Sequence, residues 1–137
     1  MSYRWDMTPQ DIADACEATA DLLEGHWTKG RWYDMEFNSY CVEGALAAAL
    51  EMDPVLVEDG GDERTKLRTC PVYAAVMKTV IERLIETDDD SDNSIREVED
   101  DGLPWWNDRD ERTEDEVLDI LHTTAKRILG VGPDDAR

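Results

Sequence analysis

Positive charge is scarce in this chain. Fourteen Lys and Arg face 34 Asp and Glu, a formal net charge of −20 over 137 residues. A surface that negative repels phosphate backbones and anionic lipid, so neither nucleic acid nor membrane is expected as a direct partner. The two histidines, His26 and His122, stand far apart, which removes paired-imidazole metal sites. Cys16, Cys41 and Cys70 are an odd set with no short spacing, so they form neither a zinc knuckle nor a redox pair. Their placement suits a reducing compartment. No apolar run is long enough for a bilayer, and MSYRWDMTPQ carries no apolar signal core. The expected compartment is the cytoplasm. There is no phosphate-binding glycine loop, no serine elbow and no internal repeat. No cofactor is expected.

A hydrophobic fraction of 41% with five Trp is enough for a core. The length suits one domain over 1–137, with 1–7 and 131–137 as frayed ends. Thr8-Pro9-Gln10-Asp11 is a helix start: a capping hydroxyl, Pro in the first turn, then an acid. Ile12, Ala15, Cys16, Thr19, Ala20 and Leu23 follow on one stripe, and Gly25 supplies the exit. Arg31 to Phe37 alternates loosely, which leaves room for one short extended segment and predicts no sheet. Ser39 or Asn38 is the expected cap of a second helix over 40–52, with Val42, Ala45, Leu46, Ala49 and Leu50 inward. Gly44 in mid-helix costs about 1 kcal/mol relative to Ala, so a second backbone is expected to approach closely there. Asp53-Pro54 reads as the end of that helix and VEDGGDERTK as a polar loop. A third helix starts at Thr69 with the stripe Tyr73, Val76, Met77, Val80, Ile81, Leu84 and Ile85. A fourth opens at Thr113, where Glu116 completes a capping box, and carries Val117, Ile120, Leu121, Thr124, Ala125 and Ile128. The expectation is an all-α fold: a compact bundle of about four main helices with long irregular connections.

The connector 88–101 is dominated by acids. Asp88, Asp90, Asp92, Ser94 and Glu99 fall at calcium-loop spacing, after an entering helix. Arg96 puts a fixed positive charge at a ligand position, Gly102 and Pro104 interrupt the exiting helix, and no second loop pairs with it. The stretch therefore reads as an acidic connector rather than a metal cage.

PWWNDRDERT places two Trp before a short Asx turn at Asn107 and Asp108, ahead of the Thr113 cap. HWTKG (Trp27, Thr28, Gly30), CVEGAL (Cys41, Gly44, Ala45, Leu46), WND (Trp106, Asn107, Asp108) and RTEDEVL (Arg112, Thr113, Glu116, Val117, Leu118) occur in that order across most of the chain. The ordered set resembles a family of small uncharacterised helical proteins, a domain of unknown function from actinobacteria and their phages. The resemblance implies a helical fold, such an origin and, for a phage protein, the host cytoplasm; it assigns no activity.

Three functions compete. Trp5, Trp32 and Trp105 fall outside the helical stripes, and Trp is favoured in binding hot spots. This suggests a non-enzymatic interaction domain whose surface comprises Trp32, Trp105, Trp106, Asn107, Asp108 and Arg112, and whose partner is a protein, one with a basic surface. The charge suggests a special case, a mimic of nucleic acid that occupies a DNA- or RNA-binding protein. Cys41 at a helix start, with His26 and Asn107 or Asp108, suggests a thiol-dependent hydrolase or transferase. Small neighbours make Cys41 a packed side chain equally well, and the non-enzymatic reading is preferred.

Overall fold

A computed structural model describes residues 6–36, 38–87, 96–99, 102–109 and 112–130. Helix α1 spans Pro9–Leu23. Thr8 Oγ1 accepts the Asp11 N–H and Asp11 Oδ2 accepts the Thr8 N–H, each at 3.1 Å, which satisfies two amides that a helix start leaves without partners. The chain leaves α1 through Gly25, which has a positive φ of 78°. Strands β1 (Tyr33–Asp34) and β2 (Ser39–Tyr40) then pair antiparallel, Tyr33 opposite Tyr40. Five helices follow: α2 (Val42–Ala49), α3 (Pro54–Asp59), α4 (Gly61–Arg68), α5 (Pro71–Thr87) and, after a helical turn at 96–99, α6 (Leu103–Asn107). The last is α7 (Glu114–Ile128), which opens on the capping box of Thr113 and Glu116. The fold is helical, with only this two-strand hairpin as sheet among the described residues.

One cluster of buried side chains joins the elements. Helix α1 packs against α7 and α2, and α5 lies against α7 and α1. Leu23 of α1, Val76 and Val80 of α5, and Val117, Ile120 and Leu121 of α7 are almost fully enclosed. Each such side chain contributes about 1.5–3 kcal/mol. Ile85 is 60% exposed, so the apolar stripe of α5 outlasts the core it packs on. Helix α2 runs through the middle, and Cys41 to Ala47 are buried without a break. The close backbone approach that Gly44 implied is there. A Cβ on Gly44 would lie 1.8 Å from the carbonyl oxygen of Trp32, and the Cys41 N–H donates to that same oxygen at 3.3 Å.

Several boundaries differ from the sequence reading. Helix α2 is capped by Cys41, not Ser39 or Asn38, because Ser39 and Tyr40 are held in the hairpin. Asp53-Pro54 opens a helix instead of only closing one: Asp53 Oδ1 accepts the Val55 N–H at 2.9 Å. VEDGGDERTK is consequently the end of α3 and most of α4. Each of those two helices buries one apolar side chain, Val57 and Leu67, so neither shows a stripe. Within 88–101, residues 96–99 form a helical turn with Val98 fully buried. Asn107 is the last residue of α6 and not part of a loop turn.

The Gly44 contact gives the first test. Gly44→Ala forces the hairpin off α2 and should lower unfolding free energy by about 3 kcal/mol, at the upper end of overpacking costs. Urea titration reads this as a drop in midpoint at constant slope. A loss below about 1 kcal/mol would mean that the two backbones separate at little cost.

Candidate functional site

The four short motifs come together where the hairpin, α2 and α6 meet. Gly102, with φ 83°, turns the chain into α6, and Pro104 sits in its first turn. The Leu103 N–H donates to Tyr73 Oη at 3.2 Å. Adjacent residues on a helix point about 100° apart. Trp106 is therefore buried, while Trp105 is half-buried beneath the Arg109 guanidinium, 4.8 Å from its ring centroid.

Asn107 is fully enclosed and uses all of its amide. Its Oδ1 accepts Trp27 Nε1–H at 2.7 Å and the Val42 N–H at 3.0 Å. Its Nδ2 donates to Thr28 O and Asp108 Oδ1, each at 3.0 Å. Asp108 Oδ1 also accepts the Gly30 N–H at 2.9 Å. Arg112 closes the far side: Nε donates to Trp106 O at 3.0 Å, Nη1 to Glu116 at 2.9 Å, and the guanidinium lies 4.3 Å from the Trp106 ring centroid. Trp106 Nε1 is the one buried side-chain polar atom without a partner among the described residues.

A second polar cluster adjoins this one on α2. Glu43 is fully buried, with Arg68 Nε at 3.1 Å from Oε2 and Nη2 at 3.2 Å from Oε1. Tyr73 Oη donates to Oε1 at 3.1 Å. Burial raises the Glu43 carboxyl above its ordinary range and outweighs the opposing hydrogen bonds and charge of Arg68. The Trp32 ring lies under Arg64 at 4.8 Å and Arg68 at 6.0 Å. Sequence reading missed this cluster, because Glu43 fell off the expected stripe. The available signal was a single acid inside an unbroken run of small and apolar residues, CVEGALAAAL.

Cys41 caps α2 through its sulfur, which accepts the Gly44 N–H at 3.4 Å. Burial pushes its thiol up to about 12, with Glu43 and Asp108 raising it further against the amides that lower it. The helix start was expected to favour the thiolate, but desolvation dominates. His26 is exposed, and among the described residues no hydrogen bond joins its ring to Cys41, Asn107 or Asp108. Asn107 reaches the Val42 N–H, one residue from Cys41, but its amide is wholly engaged elsewhere.

Of the expected binding surface, Trp32, Trp106 and Asn107 are interior, and the Arg112 side chain is only 10% exposed. Trp105 and Asp108 reach the exterior, beside Lys29, whose Nζ donates to Arg109 O at 2.5 Å. The calcium candidates Asp88, Asp90, Asp92 and Ser94 lie outside the described residues. Glu99 is exposed on the turn at 96–99. Among the described residues no three His, Cys, Asp or Glu side chains are grouped to hold a metal ion. Nor is any described helix long and apolar enough to cross a membrane.

A family model matches residues 7–127, from just before the α1 cap to the last turn of α7. The chain belongs to DUF6197, a family of unknown function. No curated protein and no solved structure matches it. The DUF6197 match takes in both polar clusters and leaves out 1–6 and 128–137.

Three tests follow from these buried groups. Asn107→Ala strands Trp27 Nε1, the Val42 N–H and Thr28 O, and should cost about 3 kcal/mol by chemical denaturation. Asn107→Asp turns the donor end toward Thr28 O and Asp108 as an acceptor. Its deficit should grow as pH rises through the carboxylate range; a deficit independent of pH would contradict the placement of Thr28 O and Asp108 against that end of the side chain. At alkaline pH the signs add. Cys16 and Cys41 are raised to about 12 and Tyr73 is raised as well, mainly by burial. The stabilising contribution of the two thiols is full below their ordinary value of 9.0 and is lost as pH climbs toward 12; that of Tyr73 is full below its ordinary 10.0 and is lost above it. Melting temperature should fall across that window, and less steeply in Cys41→Ala. Parallel curves for wild type and variant would contradict the Cys41 contribution.

Proposed function

We propose that the protein is a non-enzymatic interaction module of phage or actinobacterial origin, acting in the cytoplasm on a protein that presents a basic surface. The observation that carries this reading is the outer face of α1. Asp11, Asp14, Glu17, Asp21 and the C-cap Glu24 are all exposed, and the helix contains no Lys or Arg. Asp21 and Glu24 stand at the carbonyl end, where an acid costs about 0.3–1 kcal/mol. Helices α4 and α7 place bases in their last turns, as helix stability favours. Helix α1 gives up that stabilisation and keeps a row of negative charge.

The same row favours a particular form of this reading, occupation of a nucleic-acid site on the partner. At 1.5 Å rise per residue, acids at 14, 17, 21 and 24 repeat about every 4.5–6 Å along one face. A thiol-dependent hydrolase or transferase using Cys41 is the alternative; the upward shift of that buried thiol weighs against it.

Asp14→Lys, Asp21→Lys and Glu24→Lys together shift the formal charge from −20 to −14. The triple variant should melt no lower than wild type, since two of the changes now suit the helix dipole. It should lose capture of basic proteins by the immobilised chain. Duplex DNA should compete with that capture if the partner surface is a nucleic-acid site. Capture that the triple variant retains, or that survives high salt, would contradict the proposal.

A further inference from the structure

We propose that Glu43, beside the rings of Trp32 and Tyr73 over which its guanidinium partner lies, is a guanidinium site which the chain's own Arg68 occupies and which an arginine of the basic partner takes in exchange. The inference rests on the reading of a basic protein partner and names a contact beyond surface charge.

The site is built for a planar fork. Both Glu43 oxygens face Arg68, at 3.1 and 3.2 Å, and Tyr73 Oη fixes Oε1 from behind at 3.1 Å. The guanidinium carbon lies 6.0 Å from the Trp32 centroid and 5.9 Å from that of Tyr73. Bidentate carboxylate with flanking aromatic faces suits a guanidinium and fits an ammonium poorly. The Glu43 side chain is 0% exposed and that of Arg68 29%, so the way in lies on the Arg68 side.

The occupant sits on a lightly anchored element. Leu67 is the one buried residue of α4. The helix starts from Gly60 and Gly61, with φ of 94° and 66° and no side-chain cap. Ties from this helix to other elements include those of its arginines: Arg64 to Val57 O and Glu58 O, and Arg68 to Glu43. As a mere fastening, a buried ion pair is matched or bettered by packed apolar side chains, whereas a switch between partners requires the charges. A chain at −20 draws a basic partner toward such a site.

The test uses the whole chain and Arg68→Ala, with Arg68→Lys as a second variant that keeps a cation without the fork. Arg68→Ala should melt below wild type, and millimolar methylguanidinium should restore much of the loss while methylammonium does not. Glu43→Gln/Arg68→Ala should not respond to either. An oligoarginine peptide should bind Arg68→Ala about tenfold or more tighter than wild type, because the internal competitor is gone. Oligolysine of the same length should bind both alike. Equal rescue by methylammonium, rescue that persists in the double variant, or no arginine-specific gain in either variant would overturn the proposal. Oligoarginine binding lost in the α1 triple variant but unchanged by Arg68→Ala would leave the acidic-surface reading standing and this one refuted.

Discussion

Helix α2 has no face to the solvent over its first six residues, and the surroundings are arranged around that constraint. A helix start carries amides without intrahelical partners, and here water cannot serve them. The Val42 N–H goes to Asn107, 65 residues away, and the Gly44 N–H goes to the Cys41 sulfur. The Glu43 carboxylate is buried with Arg68 and Tyr73. Gly44 has no side chain because the Trp32 carbonyl occupies that space. Once α2 is central, the positions of the hairpin, α4 and α6 follow from the groups they must supply to it.

This divides the polar chemistry in two. Inside, Trp106 Nε1 is the one buried side-chain polar atom without a partner among the described residues, and burial raises the thiols. Outside, Asp11 caps α1, Asp14 accepts from Gln10 and Glu17 meets His122 of α7, while Asp21 and Glu24 stand where the helix dipole opposes them. Five of the described arginines are drawn inward or across helices: Arg64 and Arg68 over Trp32, Arg112 over Trp106, Arg83 to Asp119, Arg127 to Glu82; Arg31, Arg96 and Arg109 are exposed. Much of the scarce positive charge is thus spent on cohesion, and the acids of α1 face the solvent.

The sequence disclosed what depends on near neighbours. The caps at Thr8 and Thr113, the stripes of α1, α5 and α7, and the close approach at Gly44 each rest on spacings of a few residues. Helices α3 and α4 escaped because each buries a single apolar side chain, so periodicity carries no signal; arginine contacts to other elements hold α4. The role of Asn107 escaped for a related reason. Its partners at Trp27, Thr28 and Val42 lie 65 to 80 residues away, and nothing local separates such a clasp from an ordinary Asx turn. Two adjacent Trp looked alike in sequence, yet helical rotation sent Trp106 inward and Trp105 outward.

Native-state hydrogen exchange resolved at single amides tests the central constraint most directly. Amides in the first turn of a helix ordinarily exchange readily, for want of intrahelical partners. If α2 is held as described, the Val42 and Gly44 N–H groups exchange only through global unfolding, with opening free energies equal to that from denaturant titration. Exchange of either amide through local opening, well below the global value, would contradict the account.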